Sequence, residues 1–232
     1  MIDVRPFRTL GGADHGWLKA KHHFSFASYY DPSRMNWGKL RVWNDDEIAA
    51  GAGFPPHPHS DMEIITYVRD GAITHEDSLG NKGRTAAGDV QVMSAGTGIR
   101  HAEFNAESHL TRIFQIWIEP TRRGEQPAWG TRPFPKADRS GQFVVLASGR
   151  PGDDDALPIR TDARVVAATL RAGETADYAL GKDRLAYLVA AKGEIRVNDI
   201  SLDARDGAAI RDEDRLSVFA VSDSEIVLVD TA

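Results

Sequence analysis

Two short stretches carry side chains that can hold a metal: His57-Pro58-His59 and His101-Ala102-Glu103. Each places two metal-capable groups two residues apart. On a β-strand, residues i and i+2 point to the same face. Two such strands side by side would aim three imidazoles and one carboxylate at one point. That mixed nitrogen and oxygen set suits a divalent transition ion, with Fe, Mn, Ni, Cu and Zn all accommodated. Four protein ligands on a six-coordinate ion would leave two positions for water, substrate or dioxygen. A lone H-x-H pair also occurs by chance on surface strands, so the elements around the pairs decide the reading.

Those elements are short, β-prone and punctuated by turns. Gly38–Trp43 reads as a strand, Asn44-Asp45-Asp46 as a turn, and Gly51–Pro56 as a loop that delivers His57. Pro55, Pro56 and Pro58 cannot donate to a ladder, which predicts a strand edge or bulge there. Glu63–Val68 and Ile73–Ser78 flank an Asp70-Gly71 hairpin turn, and Val90–Met93 and Arg112–Ile118 follow as strands. The alternation in His22–Pro32 predicts a strand with an aromatic face. Phe26, like Met62, reads either as core packing or as a wall of the metal pocket. His75, beside Glu76 and Asp77, reads either as a residue that orients a ligand or as a solvated strand histidine. His15, His22, His23 and His109 read as surface or core residues, and Arg122-Arg123 as a solvated loop.

Residues 120–142 are rich in Pro, Gly and Arg and read as a connection. Strands then resume to the end of the chain. A faint repeat lays Tyr67–Asp77 over Leu188–Asn198, and Asp206–Ile210 over Gly88–Val92. Two copies of one β unit follow, with domains expected at residues 1–130 and 131–232. All eight histidines lie at or before position 109 and there are no cysteines, so the second copy cannot build an imidazole or thiolate site.

Composition sets the outer limits. With 41% hydrophobic and 27% charged residues, the chain of 232 residues can bury a core. A net charge of -6 argues against direct nucleic-acid binding. The longest apolar run, Leu185–Ala191, is too short to span a bilayer, and the N-terminus has no apolar signal core. A cytoplasmic protein with no membrane association is the expectation.

The pattern around the two pairs resembles the cupin signatures G-x5-H-x-H-x3-E and G-x5-P-x-G-x2-H-x3-N. Gly51, His57, His59 and Glu63 fit the first; Gly88, Gly96, His101 and Asn105 fit the second. Ser94 stands where proline is usual, and four residues rather than two separate Gly96 from His101. The stretches His22–Pro32, His57–Val68, His75–Ser78, Gly80-Asn81 and Met93–Asn105, in this order, resemble the pirin family of bicupins. The resemblance implies an all-β fold of two antiparallel β-barrels (double-stranded β-helices) facing each other, with one metal ion in the first. It places the ligands at His57, His59, His101 and Glu103 and leaves Glu63 a structural or supporting role. It implies Fe(II) as the first choice of metal, with Zn, Mn, Ni, Cu or Co as alternatives. The activity implied is quercetin 2,3-dioxygenase, with a polyphenol and O2 as substrates; Glu103 is then the candidate catalytic base, because a ligand carboxylate within reach of the hydroxyl can take its proton. The alternative it carries is a non-enzymatic metal- or redox-sensing module acting on a regulatory protein partner.

Overall fold

A computed structural model describes all 232 residues. The first half forms β1 (Ile2–Arg5), β2 (Gly11–Asp14), β3 (Leu18–His22), β4 (Leu40–Ile48), β5 (Gly53–His59), β6 (Glu63–Asp70), β7 (Ala72–Asp77), β8 (Lys82–Ala86), β9 (Val90–Ser94), β10 (Ile99–Phe104), β11 (Thr111–Ile118) and β12 (Ala128–Arg132). The second half forms β13 (Val144–Ser148), β14 (Leu157–Pro158), β15 (Ala163–Leu170), β16 (Thr175–Ala179), β17 (Leu185–Lys192), β18 (Ile195–Val197), β19 (Ile200–Leu202), β20 (Gly207–Ile210), β21 (Arg215–Ala220) and β22 (Ser224–Thr231). The only helices are three short 3-10 turns, and no helix is long and apolar enough to cross a membrane.

The strands make two copies of one unit. The first has a seven-stranded sheet, β12-β9-β6-β11-β4-β3-β2, facing a four-stranded sheet, β5-β10-β7-β8. The second has β1-β20-β17-β22-β15-β13-β14 facing β16-β21-β18-β19. The run β9-β6-β11-β4 recurs as β20-β17-β22-β15, so the repeat in the sequence is a repeat of topology. The expected all-β bicupin is present, with one correction: each unit is an open jelly-roll sandwich, not a closed barrel. At the rim, β5 pairs only with β10, and Pro55, Pro56 and Pro58 leave it few N–H groups for a further partner. The strands also cross the expected division at residue 130. That residue lies inside β12, which pairs with β9, and β1 adds to the second unit by pairing with β20.

Alternation along each strand sorts the side chains between two cores. Trp43, Ile65, Tyr67, Phe114 and Ile116 face away from their own sandwich and pack against Val165, Tyr187, Val189 and Val227 of the second large sheet. That seam fixes the two units against each other. The inner face of the second unit is apolar, built from Val166, Leu188, Ile226, Leu228 and Val218 among others.

The first inner face is different, and two expectations fail there. Asn44-Asp45-Asp46 is not a turn but the middle of the nine-residue strand β4. Three polar residues persist in a buried strand because each side offers them a use. Asp45 faces the seam, where the Arg69 and Arg205 guanidiniums pair with it. Asn44 and Asp46 face inward to a cavity. The aromatic strand expected over His22–Pro32 ends at His22, where β3 stops. The turns beyond it send Phe24 into the seam and Phe26 to the cavity wall.

Candidate metal centre

The strand pair β5 and β10 carries the two motifs. Antiparallel register sets His57 opposite His101, and a bulge between His101 and Glu103 shifts the ladder before Glu103. The bulge re-aims the residues that follow it. The imidazoles of His57, His59 and His101 present ring nitrogens that all lie within 4.8 Å of one another. The Nε2 atoms of His57 and His101 are 3.1 Å apart.

The outer partners decide which ring nitrogen is free. His57 Nδ1 lies 2.8 Å from the Pro55 carbonyl, which can only accept. Nδ1 is therefore the donor, and the lone pair sits on Nε2. His75 Nε2 lies 2.9 Å from Asp77 Oδ2, and His75 Nδ1 lies 3.4 Å from His101 Nδ1. With His75 donating to Asp77, its Nδ1 can accept from His101 and leave the His101 Nε2 lone pair facing His57. Asp77 is fixed in turn: burial pushes its carboxyl up, but hydrogen bonds from His75, Asn81 and Leu79 outweigh this and lower it. Trp129 stacks on His75 with ring centroids 4.8 Å apart. His75 is thus fully buried and orients a ring of the cluster, which sets aside the solvated reading.

Two lone pairs directed at each other across 3.1 Å repel unless a cation lies between them. Nitrogens about 2.1 Å from one ion and at right angles around it are about 3 Å apart, so a divalent ion fits this pair. Burial, then the neighbouring His57, lowers His59 to about 4. Burial, with His57, His59 and His75 around it, lowers His101 to about 2. Both are the neutral bases a metal needs at neutral pH.

Glu103 stands apart from this cluster, although its side chain lines the same cavity. It reaches across the sandwich to the large sheet. Thr66 Oγ1 donates to its Oε1 at 2.9 Å and Gln91 Nε2 at 2.7 Å, while Gln115 Nε2 donates to Oε2. Burial pushes the carboxyl up, and the hydrogen bonds from Thr66 and Gln115 and the nearby His75 offset part of that rise. Glu63, the general cupin carboxylate, is buried and accepts from Ser94 Oγ at 2.6 Å. The serine that replaces the usual proline is therefore what holds it, away from the imidazoles. Asn105 ties the following loop by donating to the carbonyls of Ile48, Ala49 and His109. The extra turn residues before His101 depend on Gly96, whose φ is 48° and whose added Cβ would lie 2.0 Å from the Glu125 carbonyl oxygen.

The cavity between the sheets has a volume of about 530 Å³. Trp17, Leu18, Phe26, Phe54 and Trp117 supply apolar walls, so Phe26 serves the pocket. Met62 packs instead beside Ile64 and Met93. His15 and His22, read from sequence as surface or core residues, line the cavity, as do Asn44, Asp46, Gln115 and Trp117, which motif reasoning missed. The missed signal lay in polar residues inside otherwise β-forming, apolar runs: Asn44 and Asp46 in β4, Gln115 in β11.

Residues 3–118 match the model of the Pirin family, and residues 145–231 match that of the quercetinase C-terminal cupin domain. The chain belongs to the pirin family. A pirin-like protein of Caulobacter vibrioides is 73% identical over 232 residues, which is the full length of both chains. A relative from Escherichia coli K12 named quercetin 2,3-dioxygenase is 42% identical over 231 residues, covering 99% of this chain and 98% of the relative. The crystal structure of the E. coli pirin YhhW in complex with nickel(II) superposes with a TM-score of 0.93 at 41% identity, covering 100% of this chain and 99% of that one.

Proposed function

We propose that this pirin is a metal-dependent dioxygenase that opens the heterocyclic ring of a flavonol such as quercetin with O2 and releases CO. The observation that carries this is the convergence of three imidazoles on a cavity with aromatic walls. Relatives named quercetin 2,3-dioxygenase support the substrate class. His57, His59 and His101 would hold the ion, with Glu103 as the fourth ligand. Fe(II) is the first choice, and the nickel complex of the YhhW relative supports a site tolerant of several divalent ions. When bound, the metal would supply Lewis-acid and redox chemistry for the reaction of the ionised flavonol with dioxygen.

The remaining work belongs to the chain. Glu103, whose carboxylate lines the cavity, takes the proton of the flavonol 3-hydroxyl. Thr66, Gln91 and Gln115 hold that carboxylate in place before and after the transfer. The aromatic walls sandwich a flat ligand and exclude water. In the overall reaction both atoms of O2 enter the depside product. The carbon that bore the 3-hydroxyl leaves as CO, so no external reductant is required. The test is dioxygen uptake and CO release with metal-reconstituted protein and a flavonol. One CO per O2 is expected; a fully metallated protein that turns over no flavonol would overturn the reading.

A further inference from the structure

The inner face of the large sheet carries an unbroken row of polar residues set opposite one another on adjacent strands. His22 on β3 pairs with Asn44 on β4, Asn44 with Gln115 on β11, Gln115 with Thr66 on β6, and Thr66 with Gln91 on β9. All five are buried. Three of the five have an evident use: Gln115, Thr66 and Gln91 hold Glu103. The other two do not touch Glu103. His22 Nδ1 lies 2.8 Å from Asn44 Oδ1, and both side chains line the cavity.

Asp46 sits two residues further along β4 on the same face. Its cross-strand neighbours are Ala20 and Ile113, which offer it no hydrogen bond. It is 2% exposed, lines the cavity, and its Oδ1 has no partner. Buried polar atoms are rarely left unpaired, because the desolvation cost is then not recovered. A buried, unpaired carboxyl at a cavity wall is where a ligand atom would complete the set. The facing groups narrow its chemistry. Glu103 lines the same cavity and lies close enough to act on Asp46 electrostatically, so a ligand carboxylate or phosphate would meet a second acidic group. A hydroxyl both donates and accepts, and can satisfy the carboxyl, the Asn44 amide and the His22 ring. Trp17, Phe26 and Trp117 around the same space favour a flat ring to carry it.

The geometry points to a second recognition subsite, made by Asp46, Asn44 and His22, that binds the hydroxylated ring of the substrate at the cavity wall opposite the imidazoles. This rests on the reading of the cavity as a flavonol site, and it adds which part of the ligand is read and by which residues. The three residues would be specificity-determining groups that act on the end of the ligand away from the reacting ring.

The experiment compares two flavonols that share the 3-hydroxyl and differ only in hydroxyls on the pendant ring. Binding is followed by tryptophan fluorescence of the metallated protein without dioxygen, so the readout is independent of turnover. The wild type should prefer the hydroxylated compound by roughly 10- to 100-fold, the range expected when a buried polar group is left unpaired by the other ligand. Asp46→Ala should collapse that ratio to near unity. Asp46→Asn, which keeps an oxygen acceptor and adds a donor, should restore part of it. Should Asp46→Ala fail to fold, Asn44→Ala should lower the ratio in the same direction. Flavonol binding with no hydroxyl preference in the wild type, or an unchanged preference in Asp46→Ala, would overturn the subsite while leaving the dioxygenase reading intact. No binding of either flavonol would overturn both.

Discussion

The two sandwiches have the same strand order and opposite interiors. The central row of the first large sheet reads His22, Asn44, Gln115, Thr66, Gln91. A row across the matching strands of the second reads Val166, Leu228, Leu188, Ala208. One scaffold can therefore carry a polar inner face or an apolar one, provided the polar groups find partners. In the first unit Glu103 provides most of them. In the second, dispersion and apolar burial do the same structural work with no group to satisfy. The difference separates function from stability: one unit holds the candidate chemistry, and the other packs against it through a shared seam.

The sharpest break in this comparison is Glu103→Gln. The amide keeps the size of the side chain but removes its charge and basicity. If Glu103 is the base, a fully metallated variant should turn over flavonol something like 10²- to 10⁴-fold more slowly. The defect should shrink at high pH, where the flavonol is already ionised in solution. Wild-type turnover at neutral pH by the metallated variant would remove the base role. On the apolar side, Leu188→Ala should cost about 2–5 kcal/mol in denaturant unfolding through cavity formation. The folded variant should still carry its metal. A loss of metal from the folded Leu188→Ala protein would mean that the two interiors are not separable in this way.

A smaller effect is expected from the residues behind the imidazoles. His75→Ala removes the link between Asp77 and His101. Metal affinity should fall roughly 10- to 100-fold, measured by chelator competition. An unchanged affinity would make the Asp77–His75–His101 chain a packing feature only.

Acid should act on the first unit through its histidines. His23 is fully buried, and its pKa is held well below the usual value by burial and by Arg5 and Arg34. The unfolded chain takes up a proton there near pH 6.5 and the folded chain does not. Stability is therefore complete above that pH and falls as pH drops below it, by about 1.4 kcal/mol per pH unit for each such group. Asp46 and Glu103, both pushed upward chiefly by burial, work in the opposite sense. The contribution of His23 is isolated by comparing wild type with His23→Gln, whose stability should decline less steeply between pH 6.5 and 5.5. Equal slopes would show that His23 gains its proton without unfolding. The smallest change concerns Asp46. Replacing its unpaired carboxyl with an apolar side chain, as in Asp46→Leu, should raise stability by about 1 kcal/mol. A large destabilisation would mean that the carboxyl has a structural partner.

How far the sequence could be read follows the same division. The H-x-H and H-x-E spacings located the imidazoles because β geometry converts a spacing of two into a shared face. Prolines marked the β5 edge because a missing N–H is a local property. The second copy was legible from its faint repeat of the first and from its lack of His and Cys. The polar inner row was not, because its meaning is relational. Asn44-Asp45-Asp46 has the composition of a turn. Only cross-strand pairing shows that Asp45 meets two arginines while Asn44 and Asp46 face a cavity. That each unit stays an open sandwich was equally hidden, since it depends on which edges meet across distant parts of the chain.

On the proposed reading, the polar interior is a metal centre built by the first unit alone. Metal analysis of the purified wild type beside a His57→Ala/His101→Ala double variant tests it most directly. Close to one divalent ion per wild-type chain is expected, with loss of most of it in a double variant that remains folded. A double variant that keeps the full equivalent, or an ion bound by residues of the second unit, would contradict it.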